Sequence, residues 1–186
     1  MRSEYFTPTQ VFDKFLAKYR YSRVLKSIKP FSHLKICYDL GCGSGKLITI
    51  LSEKGYDAYG IDVKSSDRVI AADLNKELPL LSESVDLISS LANIEHLEQP
   101  LLNLQEIYRI LRKNGVLVLT TPSTAAKPVL EFLAYKLNWI DETEIRDHKL
   151  YFSKKLLELY LTKAGFKQIS VKYFQMGMNL HAVAIK

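Results

Sequence analysis

The chain predicts an α/β fold, an open and mainly parallel sheet with helices on both faces, and three observations carry that prediction. Short apolar runs alternate with segments in which apolar residues return at helical spacing, the pattern of strands feeding helices. The apolar run at 35–40 stops abruptly in three alternate glycines, Gly41, Gly43 and Gly45, before a helical segment begins. Two C-terminal runs, 167–174 and 179–186, stand so few residues apart, with Gly177 between them, that only a hairpin can join them. The last strand is therefore antiparallel.

Composition and charge narrow the class. With 186 residues, 47% hydrophobic and 25% charged, the chain has the make-up of one ordinary globular domain. No apolar stretch approaches the ~20 residues that cross a bilayer, and MRSEYFTPTQ lacks the basic-then-apolar grammar of a secretory signal, so a cytoplasmic protein is expected. Its two cysteines, Cys37 and Cys42, are too few for a disulfide framework or a zinc site and are read as reduced. The four histidines are scattered and unpaired with acidic ligands, so no metal centre is expected. The net charge of +6 is concentrated: residues 1–35 carry eight Lys or Arg against Glu4 and Asp13, while the remainder holds 18 of each sign. Such a segment suits an anionic partner (a phosphorylated small molecule, nucleic acid or lipid surface) or is simply a solvated helix face.

Taken in order, Thr7-Pro8-Thr9-Gln10 has the spacing of a capping box, with proline at the first helical position. Phe12, Phe15, Leu16 and Tyr19 follow at helical spacing and are expected to dock on the body, with Lys14 and Lys18 facing away. Val24, Leu25 and Ile28 resume the pattern until Pro30 stops it. Residues 1–34 thus read as a basic helical cap on a body of 35–186. Strand one is 35–40, and the helix over 44–54 buries Leu47, Ile50 and Leu51 and ends at Gly55. Strand two, 58–61, delivers Asp62. Only residues 63–68 separate it from strand three, 69–72, too few for the usual crossover helix, so a short turn and an open rim are expected there. Strand four is 85–89. A helix starting near Pro100 buries Leu101, Leu104, Tyr108 and Leu111 and closes with Arg112, Lys113, Asn114 and Gly115, cations in its last turn. Strand five, 116–121, is apolar enough for a buried parallel strand. In the least regular stretch, 124–150, Val129, Leu130, Leu133 and Leu137 suggest a helix ahead of Trp139 and a polar run. Ser153 caps a last helix, in which Leu156, Leu157, Tyr160, Leu161 and Ala164 share a stripe that Gly165 ends.

The glycine turn discriminates among ligands. A dinucleotide-binding turn needs G-x-G-x-x-G, and a phosphate loop needs four residues between its glycines, then Lys and a hydroxyl residue. Here three residues separate Gly41 from Gly45, and Lys46 precedes Leu47, so neither fits. Asp39 stands two places before Gly41, where a carboxylate would repel a pyrophosphate but suits a ligand carrying ammonium and sulfonium charge. Asp62 follows Gly41 by 21 positions, close to the ~20 expected of an acid that accepts from ribose hydroxyls.

The stretch YDLGCGSGK at 38–46 resembles the first motif of the class I S-adenosylmethionine (SAM) dependent methyltransferases. LANIEHL at 91–97 is similar to the E-H-L or E-H-V that follows strand four in many small-molecule members, quinone-biosynthesis O-methyltransferases among them. It does not resemble the [DNS]-P-P-[YF] turn of enzymes that methylate exocyclic nitrogens in nucleic acids. The resemblance spans about 36–186 and weakens after strand five. It implies a Rossmann-like seven-stranded sheet in the order 3-2-1-4-5-7-6, and SAM as cofactor with S-adenosyl-L-homocysteine as product. It further implies cofactor contacts from Asp39, Gly41, Cys42, Gly43 and Gly45, from Asp62 and Val63 at the ribose, from Asp73 and Leu74 at the adenine, and from Ser90 and Leu91 along the methionine.

On the acceptor side the resemblance implies a small molecule methylated on oxygen, recognised by Tyr135, Trp139 and Tyr151. His148, in the HKLYFS context similar to one ahead of the last helix in these enzymes, is the first candidate for a base and His96 the second, because imidazole titrates near neutrality. Glu95 and His96 either touch the reactants or brace the turn. His33 and His181 are assigned no chemistry. In the resembled family an N-terminal helix often closes over the cofactor, which makes Tyr5, Tyr19, Arg20 and Tyr21 candidate lid residues. An RNA or protein acceptor gripped by the basic segment, and a non-catalytic SAM-binding partner subunit, are the other readings.

Overall fold

The first strand, β1 (Ile36–Leu40), lies in the interior of the sheet, and both of its faces are covered by apolar neighbours. Cys37 is buried in one hydrophobic cluster and Leu40 in the other. In the computed structural model, which describes residues 8–31, 33–136 and 142–186, with side chains from residue 17 onward save Glu144, β1 pairs in parallel with β2 (Asp57–Asp62) and β4 (Val85–Leu91). Adding β3 (Val69–Ala71), β5 (Leu111–Pro122), β6 (Gln168–Phe174) and β7 (Asn179–Ile185) gives a seven-stranded sheet in the order β3-β2-β1-β4-β5-β7-β6. β7 runs antiparallel to both β5 and β6. Both the strand order and the reversed last strand are as the sequence predicts.

Alternation along β5 divides the core. Val116 and Val118 face a cluster built with Val24 and Ile28 of α1 (Pro8–Ile28) and Leu47, Ile48 and Leu51 of α2 (Lys46–Glu53). Leu117 and Leu119 face the other cluster, with Leu104, Ile107 and Ile110 of α3 (Pro100–Ile110) and Leu157, Leu161 and Ala164 of α6 (Lys154–Ala164). The period of two is what a strand buried on both faces requires. In α2 the buried residues are Leu47, Ile48 and Leu51, and Ile50, expected among them, is only half-buried. Gly60 lets this helix approach the sheet: a Cβ there would stand 2.5 Å from Cys42 Sγ and 2.7 Å from Ile48 Cδ1.

Two connections depart from the common pattern. The six residues between β2 and β3 hold no helix, as their number predicts, and close with a bridge between Ser66 and Val69. After α3 the helix ends at Ile110, earlier than the sequence suggests, so Arg112 and Lys113 do not occupy its last turn. The β4–β5 register instead jumps from Val85↔Leu111 to Leu87↔Val116. Arg112 uses that bulge to reach Asp86 Oδ1 at 2.8 Å, while Asp86 Oδ2 accepts from the amides of Lys35 and Ile36 at 3.0 Å each. The cation therefore clamps the bottom of the sheet.

The N-terminal helix is fastened to the C-terminal hairpin. Tyr19 stacks on Phe174 at 5.9 Å between centroids, Arg23 lies over both rings, and Ser27 Oγ is 3.0 Å from Nε2 of the buried His181. The expected docking stripe of Phe12, Phe15 and Leu16 lies outside the described side chains. Among the described residues, no helix is long and apolar enough to cross a membrane.

Candidate active site

Register brings the chemistry to one edge. Leu40 pairs with Ile61 and with Ser90, and Asp62 pairs with Ala71, so the turns that leave β1, β2, β3 and β4 share the carboxyl rim of the sheet. In an open α/β sheet that rim is where ligands bind.

On the β1 side, Gly41, Gly43 and Gly45 have φ of +65°, +51° and +70°, the left-handed region that side chains disfavour. The Gly41 amide donates to the Ile61 carbonyl at 2.8 Å and pins the turn to the tip of β2. A Cβ on Gly41 would meet Asn93 Cγ at 2.7 Å, whereas one on Gly43 would meet nothing within 4 Å. The first glycine thus makes room for protein and the second leaves main chain open to a ligand. Asp62 is held by its neighbours: Oδ2 accepts from the Gly43 amide at 2.8 Å and Oδ1 from the Val63 amide at 2.7 Å. Asp39 is buried, with Oδ1 accepting from Ser89 Oγ at 2.7 Å. Burial pushes its carboxyl up to about 7; the Ser89 bond opposes the rise and the Asp62 charge adds to it.

Further along the rim, Asp73 is exposed and closes its own turn, its Oδ1 accepting from the amide and side chain of Asn75 at 2.9 and 3.2 Å. The Asn75 amide is the main cause holding its carboxyl below the usual range. The Leu74 carbonyl accepts from the buried Asn103 Nδ2 at 3.0 Å. Ser90 is buried with its Oγ unpartnered, and Leu91 is half-buried. The Cys42 side chain packs in the core against Gly60, which leaves its main chain at the turn.

On the β4–β5 side, a single 3-10 turn, Ile94–His96, follows β4. Glu95 is fully buried; Oε2 accepts from Thr121 Oγ1 at 2.9 Å, and Oε1 has no partner. Burial pushes its carboxyl up. The Glu95 carbonyl accepts from the amides of Lys149 and Leu150 at 2.8 and 3.2 Å, which draws the segment after α5 (Glu142–Arg146) back across the sheet edge. His148 consequently lies edge-on to His96, with centroids 4.7 Å apart. His96 Nδ1 is 3.3 Å from Asp147 Oδ2, and His148 Nδ1 is 2.8 Å from the Tyr151 hydroxyl. One carboxylate oxygen of Glu95 and one ring nitrogen from each histidine lie within 4.8 Å of one another. Two of the four histidines that look scattered and unpaired with acids in the sequence, His96 and His148, are therefore brought together in space, because the Glu95 carbonyl gathers the later segment. Burial, then the neighbouring His96, hold His148 down at about 4.

His148, Tyr135 and Tyr151 line a cleft of about 470 Å³ together with Glu131 and Lys127, the first of these tyrosines coming from the end of α4 (Ala126–Tyr135). Trp139 and Tyr5 lie outside the described residues. Of the other lid candidates, Tyr19 is committed to Phe174. Tyr21 and Arg20 are nearer the site: the Tyr21 phenol is pushed up by burial and then by the Asp39 charge, and the charge of Arg20 reaches Glu95.

The profile of the methyltransferase-domain family matches residues 13–171. The chain belongs to that family. The ubiquinone biosynthesis O-methyltransferase of Dinoroseobacter shibae is 25% identical over 171 residues, covering 82% of this chain and 67% of that protein. The malonyl-[acyl-carrier protein] O-methyltransferase of a Marinomonas species is 28% identical over 120 residues, covering 56% of this chain and 44% of that protein. The chain thus spans about two thirds of one curated relative and under half of the other. A SAM-dependent methyltransferase from Archaeoglobus fulgidus has the same fold, with a TM-score of 0.72 at 16% identity over 91% of this chain and 94% of that one.

As a SAM-dependent methyltransferase domain, the protein takes SAM as its cofactor, and the residues present fit that molecule. The main chain around Gly43 is open to close approach. The buried Asp39 carboxylate, with no cation among the described residues bonded to it, suits a ligand that brings positive charge of its own. Sequence reasoning missed the residues that hold these groups in place: Ser89 on Asp39, Asn93 under Gly41, Asn103 on Leu74, Thr121 on Glu95 and Asp147 on His96. Their only sequence signal is a polar residue inside an apolar run, as Ser89 and Thr121 are.

Proposed function

We propose that this methyltransferase moves the methyl group of SAM to a hydroxyl oxygen of a small molecule seated in the cleft beside His148 and Tyr151. The observation that carries the reading is the meeting of Glu95, His96 and His148 at the carboxyl rim, next to a cleft whose volume of about 470 Å³ suits a metabolite. Both curated relatives are named as O-methyltransferases, which agrees with oxygen as the acceptor atom.

SAM supplies a methyl group on a sulfonium that is its own leaving group, so the chain's task is to hold donor and acceptor in near-attack geometry, worth ~7–11 kcal/mol. In this reading Asp62 and Val63 take the ribose, Asp73 and Leu74 the adenine, and the main chain of Gly41, Cys42, Gly43, Gly45, Ser90 and Leu91 follows the methionine part. Asp39 answers the positive charge from below. Tyr135 and Tyr151 hold the acceptor. His148 is neutral at physiological pH, so its lone pair is free, but a group held at about 4 retains a proton too weakly to be an efficient base. His96, whose Nδ1 is 3.3 Å from Asp147 Oδ2, is the second candidate. The two free cysteines accord with a cytoplasmic setting.

The test is release of S-adenosyl-L-homocysteine on a panel of hydroxylated aromatic and aliphatic acids, against amines of matched size. Turnover on hydroxyl compounds, insensitive to salt, is the expected result. Turnover on amines alone would overturn the choice of oxygen, and activity on RNA that falls steeply with ionic strength would replace the small molecule with a polyanion gripped by the basic segment. SAM binding without turnover on any acceptor would favour the non-catalytic subunit.

A further inference from the structure

The corner formed by Glu95, His96 and His148 contains a contradiction that hydrogen bonding within the protein does not resolve. Glu95 Oε1 is buried without a partner among the described residues, although its other oxygen is held by Thr121. Buried carboxylate oxygens are nearly always met by something, and when no protein donor does so an ion or a water is the usual answer. The charge of Arg20 reaches Glu95, but it is the weakest influence lowering that group's pKa, and no hydrogen bond satisfies Oε1.

The histidines point to which answer applies. Each Nδ1 already has an oxygen partner, Asp147 on His96 at 3.3 Å and Tyr151 on His148 at 2.8 Å. An imidazole whose Nδ1–H donates to oxygen carries its free lone pair on Nε2, and orientation by an outer carboxylate, carbonyl or water is the usual support of a metal-binding histidine; on His148 the Tyr151 hydroxyl oxygen stands in that place. Two imidazoles and one carboxylate, their ligand atoms within 4.8 Å of one another, form a donor set suited to zinc, iron, cobalt or manganese; magnesium and calcium prefer oxygen ligands throughout. Three protein ligands leave positions open to water or to a hydroxyl oxygen.

We propose that Glu95, His96 and His148 bind one first-row divalent metal ion at the carboxyl rim, with Asp147, Tyr151 and Thr121 orienting the ligands. The inference gives the corner singled out above a specific occupant and rests on that reading only for its role in catalysis. Under it the two histidines act as ligands, and an acceptor hydroxyl would lose its proton at the ion.

The experiment titrates the whole, chelator-treated chain with Co²⁺ alone, following its visible d–d absorption, while calorimetry on the same samples measures SAM binding. One Co²⁺ per chain is expected, with affinity at least 10-fold weaker in Glu95→Gln and His148→Ala, and about 10-fold weaker in Asp147→Asn, where only an orienting contact is lost. No Co²⁺ uptake by protein that binds SAM, or equal uptake by wild type and both ligand variants, would overturn the site. If the ligand variants fail to fold, Asp147→Asn and Tyr151→Phe decide: unchanged Co²⁺ affinity in both would overturn it, and weakened affinity would support it. Stoichiometric Co²⁺ binding in a chain that takes no SAM would leave the metal site standing and sink the methyl-transfer reading.

Discussion

The two sides of the carboxyl rim are built on opposite plans. The β1–β2–β3 side draws its chemistry from one short stretch, residues 39–74, and much of it from main chain: positive-φ glycines, exposed amides and acids at strand tips. The β4–β5 side is assembled from side chains far apart in the sequence, with Glu95 and His96 meeting Thr121, Tyr135, Asp147, His148 and Tyr151. A donor common to a whole family can be held by backbone, which tolerates change in side chains. An acceptor that differs between relatives needs side chains, and those can be exchanged without disturbing the turn. Changes on the first side should therefore alter SAM binding, and changes on the second should leave it alone.

The strongest way to break the comparison is Asp39→Asn. If Asp39 answers the donor's charge, the variant should bind SAM about 100-fold more weakly, roughly 2.7 kcal/mol, by calorimetry. The ligand-free protein should respond in the opposite sense. Asp39 is raised from 3.8 to about 7, so the native state keeps a proton that the unfolded chain releases, and stability falls as pH climbs from 4 through 7. Asparagine removes that loss, so the variant should be more stable than wild type at pH 8, by about 4 kcal/mol at most, and show no such gain at pH 4. Equal SAM affinity in the two proteins would detach Asp39 from the donor.

A smaller effect separates packing from binding within the same side. Gly60→Ala places a Cβ against Cys42 Sγ and Ile48 Cδ1, overpacking that should cost about 1–3 kcal/mol in a urea melt while shifting SAM affinity only a few-fold. Gly43→Ala meets no protein atom and should do the reverse, lowering stability by about 1 kcal/mol through its φ of +51° and losing most of the SAM affinity. Matching stability losses with unchanged binding in both would mean that the turn near Gly43 is not where the ligand approaches.

The same contrast explains what could be read in the sequence. Glycine spacing, the Asp39 offset, the distance to Asp62 and the hairpin at 175–178 are local signals, and each maps onto the observed turn, strand tip or topology. The short link after β2 was legible for the same reason, since six residues cannot form a crossover helix. Misreadings came where a distant partner decides. Arg112 suits a helix C-terminus but is drawn to Asp86 across the sheet. Cys42 stands among the glycines of the turn, but its side chain packs toward Gly60. His96 and His148 are separated by the whole of α3, β5, α4 and α5 and are joined by the Glu95 carbonyl, an atom with no sequence signature.

The smallest expected effect tests the two sides against each other through pH. His148 is lowered from 6.5 to about 4, chiefly by burial and then by His96, so the unfolded chain binds a proton that the native state refuses. Stability from this group is complete above 6.5 and is lost as pH falls through 4, the reverse of the Asp39 dependence. The ring is only half-buried, and solvent screening limits its share to about 1 kcal/mol. His181, buried beside Ser27 and also held at about 4, acts in the same direction, so His148→Gln is read as a difference from wild type. The variant should lose about 1 kcal/mol less than wild type between pH 6.5 and 4 in chemical denaturation. SAM affinity at pH 7.5 should be unchanged if, as proposed, that histidine serves the acceptor. A change in SAM affinity with an unaltered acid limb would place His148 on the donor side and collapse the division between the two.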